Sequence, residues 1–159
     1  MKNFSFIIVI ISLCMICFEN VSAQSKKVAV YVEGEITNSD KSIVSSAVLA
    51  RMSGNRQYIP FERNEAFINA LNQEQDFQLS GEVPEKEIRG VGERLGVDYV
   101  LAVNVVINDG VCYMTAKLIN LETGEIDKTV NLNRKYTGQE VLTALANNVA
   151  YRILNKQSK

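Results

Sequence analysis

Beyond its first two dozen residues the chain alternates short apolar runs with stretches whose apolar positions recur at helical spacing. Val28-Ala29-Val30-Tyr31-Val32 is a short continuous apolar run, the pattern of a strand buried on both faces. Ser39 or Asp40 can cap the helix that follows, whose apolar face is Ile43, Val44, Ala47 and Val48 and whose end is Ser53-Gly54-Asn55. Gln57 to Phe61 reads as a second strand, and Pro60, which has no N–H to donate, sends it to the edge of a sheet. Asn64 opens a helix carrying Phe67, Ile68 and Leu71; after a polar loop, a second helix carries Ile88, Val91, Gly92 and Leu95 at i, i+3, i+4 and i+7. Gly96 stands where a left-handed residue ends that helix. Gly90 and Gly92 each weaken it by about 1 kcal/mol relative to alanine, an expense that close approach to a strand would offset.

Tyr99 to Ile107 is the most apolar strand. Asn108-Asp109-Gly110 turns it back into Val111–Asn120, and Glu122-Thr123-Gly124-Glu125 turns that strand into Ile126–Leu132. Alternation in these last two strands implies one packed face and one polar face. Thr115, Lys117, Asp127 and Thr129 are therefore a candidate contact surface for a partner. Thr137 and Glu140 have capping-box spacing before a last helix striped by Leu142, Leu145, Ala146, Val149 and Ile153. A polar tail, Asn155 to Lys159, follows it. The order β-α-β-α-α-β-β-β-α predicts an α/β three-layer domain with a mixed five-stranded sheet flanked by helices. Helix-linked strands run parallel and the last three, joined by tight turns, antiparallel.

Several of these pieces also carry a family likeness. They are Lys27-Val28-Ala29-Val30, Glu62-Arg63, Glu74-Gln75, Gln78-Leu79-Ser80-Gly81, the run Gly92-Glu93-Arg94-Leu95-Gly96-Val97-Asp98-Tyr99-Val100-Leu101, and Glu122 to Ile126. In this order and spacing the chain resembles the curli-secretion (CsgG-like) superfamily. That group includes the LpoB-like lipoprotein activators of penicillin-binding proteins and is similar in fold to the amino-terminal domain of TolB. The resemblance implies a non-enzymatic envelope protein whose partner is another envelope component. Secretion-channel activity is not carried over, because a barrel-building hairpin needs strands of about 9–11 alternating residues that this chain has no spare length to supply.

The amino terminus bears on address. Lys2 precedes an almost continuous apolar run, Phe4 to Phe18, and Val21-Ser22-Ala23 has the small-x-small form of a cleavage site. The run is shorter than the roughly 20 residues of a membrane span. Residues 1–23 thus read as a cleaved secretory signal, and 24–159 as one periplasmic domain with no integral span after processing. Neither Cys14 nor Cys17 has the leucine and small-residue neighbours of a lipidated cysteine, so no lipid anchor is expected. Cys112 is then the last cysteine, alternating with Met114, Ala116 and Leu118 as a buried apolar group.

Composition narrows the chemistry. The 17 bases and 18 acids give a net charge of −1, without the cationic surplus that nucleic acid demands. The chain has no histidine, which removes the commonest acid–base residue and metal ligand. No glycine-rich phosphate loop is present, and no cofactor, metal or catalytic residue is assigned. The alternative is a small-ligand binder or an enzyme using carboxylates such as Glu33, Glu35, Glu62 or Asp98, the first two lying where strand exits gather ligands. Gly34 between them reads as a flexible turn residue, and Glu62 and Asp98 as caps or ion-pair partners. Self-association is left open.

Overall fold

The strands take the order β2-β1-β3-β4-β5 in a computed structural model that describes residues 25–61, 66, 69, 70, 90 and 92–155. The elements are β1 (Lys26–Glu33), α1 (Asn38–Met52), β2 (Tyr58–Pro60), β3 (Tyr99–Asn108), β4 (Val111–Asn120), β5 (Ile126–Lys135) and α2 (Gln139–Asn155). β1 runs parallel to β2 and β3, while β3, β4 and β5 are antiparallel, so the mixed sheet matches the expectation. Pro60 does close β2 at the sheet edge, after only three residues. The signal 1–23, Glu62, the pair Glu74-Gln75 and most of the two middle helices lie outside the described residues.

One face of the sheet is sealed. Val28, Val30, Leu101, Val103, Met114 and Leu118 point to the same side and are at most 1 % exposed. They meet Val44, Val48 and Met52 of α1 and Leu142, Leu145, Val149 and Ile153 of α2. Burying each such side chain contributes about 1.5–3 kcal/mol. The other face is covered over β1 and β3, where Ala29, Tyr31, Phe61, Val100 and Leu121 pack with Ala70 and Leu95 from the helical residues between β2 and β3. Gly92 explains how that helix comes so close: a Cβ there would run into the Leu121 side chain. The neighbour is thus the residue just past β4, not a strand. Gly96 ends the helix with φ +69°, Val97 N bonding Gly92 O at 3.0 Å and Gly96 N bonding Glu93 O at 3.3 Å.

Two caps differ from expectation. Thr37, not Ser39 or Asp40, caps α1: its hydroxyl accepts from the Asp40 amide at 3.1 Å and donates to the Asp40 carboxylate at 2.8 Å. Asp40 is buried and also accepts from Gln139 Nε2 at 3.0 Å, which ties the first turns of the two helices. At α2 the helix starts at Gln139, so Thr137 lies one residue too early to cap it and Gly138 takes that place. The Thr137 hydroxyl instead donates to Glu140 at 2.8 Å. Glu140's own amide first, and Thr137 second, hold that carboxyl below its ordinary range.

Candidate interaction surface

The β3–β4 turn is Asp109-Gly110, both at positive φ, the two-residue geometry whose hand suits twisted strands. It sets a register in which Asn104 faces Thr115 and Val106 faces Tyr113. In β4–β5, Thr115 faces Asn131 and Lys117 faces Thr129. These pairs occupy the sheet face opposite α1 and α2. Lys117 and Thr129 are exposed there, and Val106 and Tyr113 keep 42 % and 47 % of their surface in water.

Asp127 does not join them. A bulge shifts the register from Leu118–Lys128 to Ile119–Ile126, which leaves Asp127 without a cross-strand partner. Its carboxylate accepts from the Tyr99 hydroxyl at 2.9 Å, and Asn120 Nδ2 donates to the same hydroxyl at 3.1 Å. Burial, then this bond to Asp127, push the Tyr99 phenol well above its ordinary range. Tyr58 meets Tyr99 edge to face at 5.6 Å, and its phenol is also raised, chiefly by burial and then by Asp127.

Lys128, beside this group, was unmarked in the sequence. It is 6 % exposed; its ammonium donates to Ile153 O at 3.1 Å in the last turn of α2 and sits 5.0 Å from the Tyr58 ring centroid. A cation at a helix C-terminus is electrostatically favourable. The signal was its parity with Val130 and Leu132, which places it on the packed face.

The strand exits hold Glu33 and Glu35. Glu33 accepts from Asn104 Nδ2 at 3.4 Å, and Glu35 is exposed. Gly34 is more than flexible: at φ +119° it packs so tightly that a Cβ would overlap the Val105 carbonyl. Nearby, burial first and Glu33 second raise the Tyr31 phenol to about 12. Asp98 lies at the other end of the strands, where its carboxylate accepts from the Lys27 amide at 2.7 Å and so secures the start of β1. It also lines a cleft of about 310 Å³ with Lys26, Glu93, Tyr99, Asn120 and Glu122. A second cleft, of about 430 Å³, separates Thr129, Val130 and Asn131 of β5 from Tyr151, Arg152 and Asn155 of α2. Neither cleft includes Glu33 or Glu35. Among the described residues no three metal-ligating side chains converge, and no helix is long and apolar enough to cross a membrane. Cys112 is buried, which raises its thiol pKa.

Solved structures share this architecture. The C-terminal domain of LpoB from Salmonella enterica is similar over 76 % of this chain and 90 % of that one, with 14 % identity and a TM-score of 0.53. A PelC dodecamer from Paraburkholderia phytofirmans is similar over 87 % of this chain and 94 % of that chain, with 15 % identity and a TM-score of 0.52. TolB from Acinetobacter baumannii matches 89 % of this chain but only 31 % of its own length, with 13 % identity and a TM-score of 0.52. Neither a protein-family model nor a curated protein sequence matches the chain. At such identities the likeness is one of fold. It agrees with the LpoB and TolB side of the sequence resemblance.

Proposed function

We propose that the chain is an exported, non-enzymatic protein of the cell envelope that acts by binding another envelope protein. The observation that carries this reading is the asymmetry of the sheet. One face is sealed by α1 and α2, while over β3, β4 and β5 the opposite face presents Lys117, Thr129, Val106 and Tyr113 to solvent. Exposed aromatic and apolar groups set among polar neighbours are the composition of a protein contact. The fold it shares with the C-terminal domain of LpoB supports the reading, as does the sequence resemblance to the curli-secretion superfamily. The PelC dodecamer adds self-association as a further property to measure.

Residues 1–23 act as the cleaved signal and 24–159 as the working domain, without lipid. Intact mass of the protein from a periplasmic extract should begin at Gln24; retention of residues 1–23 or a lipid adduct would contradict this. For binding, Lys117→Glu with Tyr113→Ser should reduce capture of the partner about tenfold while leaving the unfolding midpoint in place. Glu33→Gln with Glu35→Gln should leave capture intact. The reverse outcome would move the site to the strand exits and favour small-ligand or carboxylate chemistry.

A further inference from the structure

We infer that the outer edge of β5 accepts an extended, acidic segment of the partner as a sixth strand, an inference that rests on the protein-binding reading. Among the described residues β5 ends the sheet and pairs with β4, and it is ten residues long. The bulge is confined to its start, so Thr129–Lys135 runs in unbroken register with Val111–Lys117. That stretch, Thr-Val-Asn-Leu-Asn-Arg-Lys, contains neither proline nor acid. The outer side of an edge strand offers backbone donors and acceptors at every second residue, the template on which strand addition works.

The cleft between β5 and α2 gives such a strand a place for its side chains. An added strand lies about 4.8 Å from its neighbour, and alternate side chains point to one face. On the α2 side those side chains would enter the cleft beside Val130 and meet Tyr151, which is 49 % exposed.

Charge selects the occupant. Arg152 lines the cleft, Arg51 sits 5.1 Å from the Tyr151 ring centroid, and Arg134 and Lys135 end the strand. The strand's single acid, Asp127, is at its start beside Tyr99, and α2's single acid, Glu140, is in its first turn, nearer Arg134 and Lys135 than the cleft. Among the described residues two arginines, Arg51 and Arg152, therefore border the cleft itself in a chain whose net charge is −1. A second copy of β5 would bring its own Arg152 and Arg51 toward the same cleft, and like charges disfavour that pairing. An acidic strand is favoured by the same field.

The test uses the chain purified from the cells that make it and two capped peptides of about nine residues, a length matched to β5. One alternates valine with glutamate and the other valine with lysine. The glutamate peptide should bind at least about tenfold more tightly, weakening as salt rises from about 0.05 M to about 0.5 M. Backbone NMR shifts should fall at 129–135 and 151–155. Arg134→Glu with Arg152→Glu should abolish the preference without moving the thermal midpoint. Equal binding of both peptides, no binding of either at about 1 mM, or shifts centred elsewhere would overturn the inference. So would an Asn131→Cys variant that links two copies by a disulfide, since that assigns the edge to a second copy. If the arginine variants still capture the envelope partner, the protein-binding reading survives and the edge assignment falls.

Discussion

The two edges of this sheet are finished in different ways. β2 is three residues long, carries Pro60, and is followed by Phe61, whose amide bonds Val28 O at 2.8 Å. It is led in by Asn55, whose side-chain oxygen accepts from the amides of Gln57 and Tyr58 at 2.8 and 2.7 Å. Little backbone is left there for another chain to pair with. β5 is ten residues long; the bulge and the inward Lys128 guard its start and Arg134 and Lys135 put charge at its end, which leaves Thr129 to Asn133 without proline, bulge or charge. Unprotected edges invite pairing, and natural proteins manage them when no partner is intended. Between the two edges, among the described residues, the β5 side is the longer and the less finished.

Substitutions can separate what the edges share from what each does alone. The largest effect should come from the middle of the sheet, where Gly34 packs against Val105 and both edges depend on the same register. Gly34→Ala combines a left-handed φ with a backbone overlap and should cost about 3–4 kcal/mol, lowering urea stability of both edges together. An unchanged midpoint would mean the β1 exit can move away from β3.

Next in size is Lys128→Ala, which removes the donor to Ile153 O and the stem beneath α2. A loss of about 2 kcal/mol is expected, with Lys128→Met recovering part of it through packing. Hydrogen exchange should rise in β5 and α2 and stay constant in β2; a uniform rise would show that β5 is not a separable unit.

Smaller again is the alkaline response. The folded state favours neutral phenols at Tyr31, Tyr58 and Tyr99. Stability from this source is complete below the ordinary phenol pKa of about 10 and is lost as pH rises beyond it, through about 12 for Tyr31. Tyr99→Phe should cost about 1 kcal/mol at neutral pH and flatten that alkaline limb. A limb of unchanged steepness would place the titrating group elsewhere.

Pro60→Thr should change stability by less than about 0.5 kcal/mol, because it sits at an edge that needs no donor. If it instead raised self-association through β2, proline would be shown to be the feature that closes that edge.

Much of this architecture was legible in the sequence for local reasons. Asp109-Gly110 must turn, Gly96 must end a helix, and Pro60 must lie at an edge, since each rests on backbone sterics that neighbours cannot alter. What escaped was tertiary. The bulge that turns Asp127 toward Tyr99 depends on a residue 28 positions away, so strict alternation misassigned Asp127 to the polar surface. Lys128 was hidden by its own charge, which marks it as solvated until the Ile153 carbonyl is seen above it. Thr37 was passed over as a cap because Ser39 and Asp40 offered the same chemistry two and three residues later. The β5–α2 cleft has no sequence signature, because its walls are more than 15 residues apart and meet only after packing.

The central claim is that this protein acts by binding a protein on its β5 side. The most direct measurement places a photo-crosslinking residue, in intact cells, at Asn131 on β5, Ile59 on β2, or Glu35 at the strand exit, and identifies each product by mass. One envelope protein crosslinked at Asn131 and absent at Ile59 and Glu35 is the result predicted. Capture from Glu35 or Ile59, with Asn131 silent, would contradict it.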